Sequence, residues 1–283
     1  MPLDQVVDEE LERPGEKEMT FLEHLEELRW HIIRSLVAVV SAGIILFILK
    51  GPVFAVINGP RDKDFITYRV FCKIAEWTGV STVCFEPPVF QTQAIGFAEA
   101  FIMHIKISFI MGLILAFPYV FYQVWTFVKP GLYEKEQNVT RRIVAICSIL
   151  FLLGVLFGYY IISPFAIKWL AGYEIPGVEN IPTLSSYINY MIMFTAPAGL
   201  IFELPIVVFF LSKLGLVTPE LMRQYRRHSI IGILLLAAIV TPPDVVTQFL
   251  IAIPLYFLYE ASIYISRKVQ KDLEKAEAAE AAS

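Results

Sequence analysis

Residues 190–211 read YMIMFTAPAGLIFELPIVVFFL, an apolar run of 22 residues in which Glu203 is the one carboxylate. A helix of about 20 apolar residues is long enough to cross the hydrocarbon core of a bilayer. A charged side chain near the centre of that core costs about 2.5 kcal/mol or more. The run therefore predicts a membrane-spanning helix in which Glu203 faces a protein interior or a wet cavity rather than lipid.

The composition of the whole chain is also that of a membrane protein. The 283 residues are 57% hydrophobic with a mean hydropathy of +0.62, whereas soluble domains are about 45–50% apolar. A net charge of only −4 argues against nucleic acid as a partner. The first twenty residues are acidic and lack an apolar centre, so we expect no signal peptide there.

Six segments are candidate crossings, namely residues 30–49, 107–128, 143–162, 190–211, 230–240 and 245–265. The fifth has 11 residues, which rise only about 16 Å as a helix. The sequence Thr-Pro-Pro-Asp at 241–244 ends it and turns the chain. Residues 230–265 therefore predict a hairpin with a short first arm, which either thins the membrane or dips without crossing it.

The basic residues predict the orientation of these crossings. Sixteen of the 23 lysines and arginines fall on the side that holds both termini, and seven fall on the other side. The positive-inside rule then places both termini in the cytoplasm and the long loop of about residues 50–100 outside. The expected fold is an all-α polytopic membrane protein with six transmembrane helices. The chain is expected to consist of an acidic cytoplasmic segment (1–19), a membrane domain (20–266) and a cytoplasmic tail (267–283). The end of this tail is expected to be solvated or disordered.

A helix start is predicted before the first crossing. Thr20 as N-cap and Glu23 three residues later form a capping box. Apolar residues recur at spacings of four, three and four at Phe21, Leu25, Leu28 and Ile32. We expect this helix to lie at the cytoplasmic interface before it enters the membrane.

Two prolines are expected to interrupt the helix that carries Glu203. Pro205 leaves the carbonyl of Ile201 without its usual donor, and Pro197 does the same for Met193. A helix interrupted in this way can bend around a polar cavity. Glu203 is then either a functional polar site or a structural hydrogen-bond partner.

Polar residues near other segment ends have structural interpretations. Asp244 suits the start of a helix as a cap. Lys106 is expected to extend outward from the start of the second crossing, with Glu99 on a similar helical face as a possible partner.

The three cysteines are too few for a disulfide scaffold. Cys147 lies in an apolar segment and is expected to be a packing residue. Cys72 and Cys84 share the long loop; they can form a disulfide if that loop faces an oxidising compartment, and otherwise remain thiols. No zinc spacing, nucleotide motif or nucleophile elbow occurs, so we expect no metal, no cofactor and no enzymatic activity.

Four separated motifs resemble the TatC family, the polytopic core of the twin-arginine protein translocase, from about Thr20 to about Lys268. They are FLEHLEELR at 21–29, YQVWTFVKPGLYEKE at 122–136, FELP at 202–205, and TPPDVVTQ with AIP at 241–254. The agreement of several distant motifs makes the resemblance specific. The acidic N-terminus, the tail and much of the external loop fall outside it, and the loop is longer than is usual in the family.

The resemblance implies a receptor in the bacterial inner membrane for the twin-arginine signal peptides of folded proteins. The docking residues that it implies are Glu27, Arg29, Phe127 and Glu136. It also implies a membrane-embedded Glu203 and a partner-binding cluster at Thr241 and Gln248. The implied partners are single-span subunits of the TatA and TatB type, with self-association and a proton-motive force as energy source. The sequence departs from the family at His31, where a second basic residue is expected.

Arginine chemistry agrees with this interpretation. A guanidinium group stays protonated and presents a planar fork to carboxylates, so a pair of arginines needs at least two acceptors. The alternative function is a proton-coupled secondary transporter with Glu203 as relay. Against it, the sequence has no internal repeat and no second buried ionisable partner for Glu203. A third possibility is a membrane scaffold that binds no ligand.

Overall fold

The computed structural model describes residues 21–81, 84–88, 90–128, 140–173, 175–177, 180–240 and 245–281. These residues are predominantly helical and include an isolated β-bridge between Gln93 and Thr183. The all-α fold class predicted from the sequence is confirmed.

The α-helices are named here in chain order. They are α1 (Phe21–Ile48), α2 (Lys50–Asn58), α3 (Ile66–Thr78), α4 (Glu99–Val128), α5 (Thr140–Phe157), α6 (Ser163–Ala171), α7 (Leu184–Ile201), α8 (Leu204–Lys213), α9 (Pro219–Gln224), α10 (Arg226–Val240) and α11 (Val245–Ala281). A 3₁₀ turn (Gly59–Arg61) follows α2, and a π turn (Gly158–Ile162) joins α5 to α6 without a break.

Five helical stretches in the described residues are long and apolar enough to cross a membrane. They are His24–Ile48, Glu99–Phe127, Arg142–Ala171, Leu184–Lys213 and Thr247–Lys275. These overlap five of the six predicted crossings. The predicted fifth crossing corresponds to α10, which has 15 residues. The number of six crossings and the cytoplasmic position of the termini therefore stay predictions.

The outer end of the second crossing differs from the expectation. Helix α4 begins at Glu99, before the predicted start of the crossing at 107. Lys106 donates to Asn189 Oδ1 at 2.6 Å instead of pairing with Glu99. The Glu99 carboxylate accepts backbone N–H groups of Ile95, Gly96 and Ser185 at 2.8–3.0 Å. The first N–H groups of a helix lack partners within it, so the start of α7 recruits this carboxylate.

Two further elements refine the predicted boundaries. The fourth crossing is two helices, α7 and α8, separated by a turn at residues 202–203, and Pro205 lies in the first turn of α8. Helix α11 continues to Ala281, so this part of the tail is helical rather than disordered. The side chains of residues 271–275 in it are exposed to solvent.

Small residues allow two pairs of helices to approach closely. A Cβ on Gly112 of α4 would lie 2.6 Å from the backbone nitrogen of Gly43 on α1. A Cβ on Gly154 of α5 would lie 2.8 Å from the Cα of Gly199 on α7. Helices in membranes associate mainly through such close van der Waals packing.

The helices bring distant segments together at two ends, which we call the rim end and the loop end. At the rim end His24 stacks on Phe127, and Ser212 of α8 hydrogen-bonds Ser266 of α11 at 2.7 Å. At the loop end the long loop folds over the bundle, where Arg61 donates to the Phe90 carbonyl at 2.6 Å. These ends are the two sides that the basic residues distinguish in the sequence.

Candidate functional site

The start of α1 and the end of α4 form the first part of the candidate site. The ring of His24 stacks on Phe127 with 4.4 Å between centroids, and His31 meets the edge of the same ring at 6.2 Å. The Nδ1 atom of His31 is hydrogen-bonded to Oε1 of the buried Gln123 at 2.6 Å. Since residues seven apart share a helical face, α1 presents one face to α4 throughout this stretch.

Glu27 lies on this same face of α1, one turn from each of the two histidines, and is half-buried. The fold therefore packs the face of α1 that carries Glu27 against the end of α4, although about 100 positions separate the two segments in the sequence. Arg29 is exposed and belongs to another face of α1. His31, at the position where the family resemblance predicts a basic residue, is instead engaged with Gln123.

Several predicted residues lie outside the described residues. These are Glu136, Thr241, Asp244 and the Thr20 of the capping box, together with the side chain of Glu23. Helix α4 ends at Val128, immediately before the segment that holds Glu136. Of the two predicted acidic docking residues, Glu27 therefore lies among the described residues and Glu136 does not.

Glu203 occupies the turn between α7 and α8. Its side chain is only 9% exposed, and neither carboxylate oxygen has a hydrogen-bond partner among the described residues. The thiol of Cys147 and the backbone of Phe151, both on α5, face the carboxyl group without hydrogen-bond geometry. The turn therefore holds a buried acceptor group in apolar surroundings, where a polar group without a hydrogen bond lowers the stability of the fold.

Gln248 connects the two arms of the predicted hairpin. Its side-chain amide donates to the Leu234 carbonyl of α10 at 3.1 Å, and the residue is half-buried. This contact holds the start of α11 against the short helix α10.

Glu260 is a residue that the sequence reasoning missed. It is the one charged residue in the predicted crossing 245–265, so the rule that singled out Glu203 applies to it as well. It accepts from Arg226 at 2.7 Å and from the Tyr256 hydroxyl at 3.1 Å. The Tyr259 hydroxyl of α11 donates to the backbone carbonyl of Met222 on α9 at 2.6 Å. These contacts join α9 and α10 to α11 near the rim end.

At the loop end, Cys72 and Cys84 form a disulfide, and Cys147 is buried as a free thiol. No group of three or more His, Cys, Asp or Glu side chains suited to a metal ion occurs among the residues with described positions. The candidate site is therefore built of carboxylates, aromatic rings and helix ends.

Comparison with known proteins gives a consistent result. A family model described as "Sec-independent protein translocase protein (TatC)" matches residues 23–254. The Sec-independent protein translocase protein TatC of Blattabacterium sp. subsp. Periplaneta americana is 39% identical over 258 residues, covering 90% of this chain and 97% of the relative. The TatC of Aquifex aeolicus is 33% identical, covering 91% and 100%.

A solved structure agrees with the sequence relatives. The crystal structure of a twin-arginine translocase receptor, TatC, superposes with a TM-score of 0.67 at 32% identity, covering 88% of this chain and all of that chain. The structure of TatC in the detergent DDM gives a TM-score of 0.69, covering 86% and 99%. Similarity of sequence and fold over most of both chains leads to one conclusion: the chain belongs to the TatC family of Sec-independent protein translocase proteins.

Proposed function

We propose that this membrane-embedded translocase component is the subunit that binds twin-arginine signal peptides, and that the rim end is its docking site. The single observation that carries the proposal is the stacking of His24 on Phe127 where α1 meets α4, on the face of α1 that also carries the half-buried Glu27. A carboxylate beside an aromatic ring offers a guanidinium both an acceptor pair and a face to stack on. The related crystal structures are named as those of a twin-arginine translocase receptor.

The second arginine of the signal needs a second acceptor, and we assign that role to Glu136. The segment that holds it follows α4 directly after Val128. The described part of α4 reaches Val128 at the rim end, eight positions before Glu136 in the sequence. Arg29 lies nearby on an exposed face and would repel cations that approach from that side.

The apolar part of the signal, or the helix of a single-span partner, would then meet Glu203. Its buried carboxylate lacks an internal hydrogen-bond partner among the described residues, which leaves it available to a polar group on an incoming helix. Thr241 and Gln248 would contribute to partner binding at the hairpin. In this scheme the rim end faces the cytoplasm of a bacterial cell, the proton-motive force drives export, and copies of the subunit self-associate.

The test is photo-crosslinking from positions 27, 136 and 203 to a signal peptide that carries either paired arginines or paired lysines. We expect efficient crosslinking to the arginine peptide only. Charge-assisted hydrogen bonds contribute about 1.5–3 kcal/mol each, so Glu27→Gln should weaken peptide binding by about 10-fold to 100-fold.

The matched control is Glu26→Gln, which removes an exposed carboxylate from the adjacent position of the same helix. It should change binding by less than about two-fold, because exposed charge pairs contribute only about 0–1 kcal/mol. Equal crosslinking of the arginine and lysine peptides, or equal losses in the two variants, would contradict the docking site.

The transporter alternative is not favoured, because the chain matches a translocase family over most of its length. A specific readout still separates the two functions. Proton-coupled uptake of a small solute by the reconstituted chain without partner subunits is expected only for the transporter.

A further inference from the structure

Helix α3 in the long loop has three distinct faces. The first face is directed inward and consists of the buried residues Thr67, Tyr68 and Ala75 with the half-buried Phe71. The Tyr68 hydroxyl donates to the Pro60 carbonyl at 2.6 Å, and burial raises the pKa of this tyrosine. This face anchors α3 to the rest of the molecule.

The second face of α3 is apolar and exposed. It consists of residues at spacings of four, four and three, namely Ile66, Val70, Ile74 and Trp77. Their exposed fractions range from 41% for Ile74 to 89% for Trp77. Residues at these spacings form one continuous stripe along a helix.

The third face is polar and exposed, and consists of Arg69, Lys73 and Glu76. It lies about a quarter turn from the apolar stripe, since each residue advances the helix by about 100°. The three faces of α3 therefore suit three surroundings, which are protein, an apolar medium and water.

The position of α3 identifies the apolar medium. Thr67 Oγ1 donates to the Tyr160 carbonyl at 2.5 Å, and Phe71 meets the edge of Phe165 at 5.2 Å. Both partners lie in the loop-end half of the membrane-spanning stretch Arg142–Ala171. Helix α3 is thus fixed against the loop-end half of a candidate crossing.

Two exposed aromatic residues lie on α6 and directly after it, at the loop end of the same candidate crossing. Trp169 and Tyr173 are stacked with 5.9 Å between centroids, and both are exposed. Tryptophan and tyrosine concentrate at the headgroup level of membranes, where their rings are half in the apolar region. Trp77 on the apolar face of α3 is a third exposed aromatic residue at the loop end.

We propose that α3 is an interfacial helix whose face of Ile66, Val70, Ile74 and Trp77 is inserted into the lipid leaflet at the loop end. The occupant of this face is the phospholipid bilayer, and its surface is continuous with the lipid-facing surface of the adjacent crossing. Arg69 and Lys73 extend along the border of the stripe, where their cationic groups meet phosphate headgroups.

The loop holds α3 rigidly enough for this contact. The Cys72–Cys84 disulfide ties the middle of α3 to the following segment. In that segment the buried Phe85 packs against Phe165 at 4.6 Å between centroids and accepts the cation of Lys168 on its ring at 4.4 Å. The disulfide and these packing contacts therefore hold α3 in the orientation in which its apolar face meets lipid.

The experiment uses the full chain reconstituted in vesicles of phosphatidylethanolamine and phosphatidylglycerol. A nitroxide is attached through a genetically encoded keto residue, a chemistry that leaves the disulfide intact. The label is placed at positions 70 and 74 of the apolar face, or at positions 69 and 76 of the polar face. Collision rates with oxygen, which partitions into lipid, and with a water-soluble nickel chelate are then measured. The oxygen-to-nickel ratio should be several-fold higher at 70 and 74 than at 69 and 76.

Two results would overturn the proposal. Equal and high nickel accessibility at all four positions would place the apolar face in water. Low accessibility to both reagents at 70 and 74 would mean that protein, either a partner or a second copy, covers this face.

A second measurement needs no label. Subtracting the fluorescence of the Trp77→Phe variant from that of the wild-type protein isolates the emission of Trp77. Because the side chain at position 77 is exposed, the substitution leaves the rest of the protein unperturbed. Lipids brominated near the top of the acyl chain should quench this difference signal, and aqueous iodide should not. Quenching by iodide alone would overturn the proposal even if a labelled variant failed to reconstitute.

Discussion

Glu203 combines two features that rarely occur together in a stable structure. It is buried, and its carboxylate oxygens have no hydrogen-bond partner among the described residues. Leaving a buried polar group unsatisfied costs about 1–3 kcal/mol. A group that destabilises its own fold is expected to be retained for a contact with another molecule.

Replacing Glu203 with leucine should separate stability from function. Glu203→Leu is expected to raise the unfolding temperature in detergent, because an apolar side chain removes the desolvation penalty of the carboxyl group. The same variant should lose export and crosslinking to partner helices. Thermal unfolding and an export assay on one preparation measure the two effects.

The matched variant Glu203→Gln keeps the shape and one hydrogen-bonding oxygen. If hydrogen bonding is the function of residue 203, glutamine retains most of the export that leucine loses. If the charge is needed, glutamine behaves as leucine does. Full export with Glu203→Leu would show that residue 203 has no functional contact.

At the scale of the element, α1 and α4 depend on the absence of side chains at their crossing. A Cβ on Gly112 would lie 2.6 Å from the nitrogen and 2.8 Å from the Cα of Gly43, both backbone atoms that cannot rotate away. Gly112→Ala should therefore separate the helices and destabilise the protein by about 1–3 kcal/mol, as overpacking does. Differential unfolding in detergent measures the loss.

The control for this prediction is Gly232→Ala on α10. A Cβ there would meet nothing within 4 Å, and alanine favours the helix. It should leave the unfolding temperature unchanged or raise it slightly. Since α1 and α4 also carry the rim residues, Gly112→Ala should weaken signal-peptide binding, and equal unfolding temperatures in the two variants would refute the role of this crossing.

The ion pair between α10 and α11 makes a second prediction at this scale. Arg226 and Glu260 are 2.7 Å apart, with side chains 44% and 30% exposed. Arg226→Glu or Glu260→Arg alone should destabilise the hairpin, and the double exchange should restore part of the loss. Partly exposed pairs couple by about 0.2–1 kcal/mol, and a double-mutant cycle on unfolding measures this value. Strictly additive effects would mean that the pair does not hold the helices together.

At the scale of the whole molecule, the cysteines report the orientation of the chain. The structure contains one disulfide, Cys72–Cys84, and one buried free thiol, Cys147. Disulfides persist in the bacterial periplasm and are rare in the cytosol. When cells are denatured directly in a thiol-blocking reagent, the protein should then show one blocked cysteine, the otherwise buried Cys147, and two more should react after reduction.

The expected pattern requires the loop end to face the periplasm. Three blocked cysteines before reduction would place the loop in the cytosol and reverse the proposed orientation. The Cys72→Ser variant provides the control, because it should have two thiols available to the blocking reagent without any reduction.

The candidate site was predictable only in part from the sequence. Glu203 was conspicuous as one carboxylate in an apolar run, and Glu260 was equally conspicuous by the same rule. The engagement of His31 with Gln123, 92 residues away, was not predictable, because local patterns contain no information about which helices pack together. The same limitation explains why the sequence indicated Glu99 as a possible partner of Lys106, although Asn189 on α7 accepts its hydrogen bond.

By itself, the sequence determined that this chain is an all-α membrane protein, where its long apolar helices lie and which family it belongs to. These properties depend on hydropathy, length and motifs, which are local along the chain. Only the tertiary structure decided that His24 and His31 pack against the end of α4, that Glu203 is buried at a helix break and that α3 has three faces. Such properties arise from contacts between residues far apart in sequence, and close packing of the helices selects them.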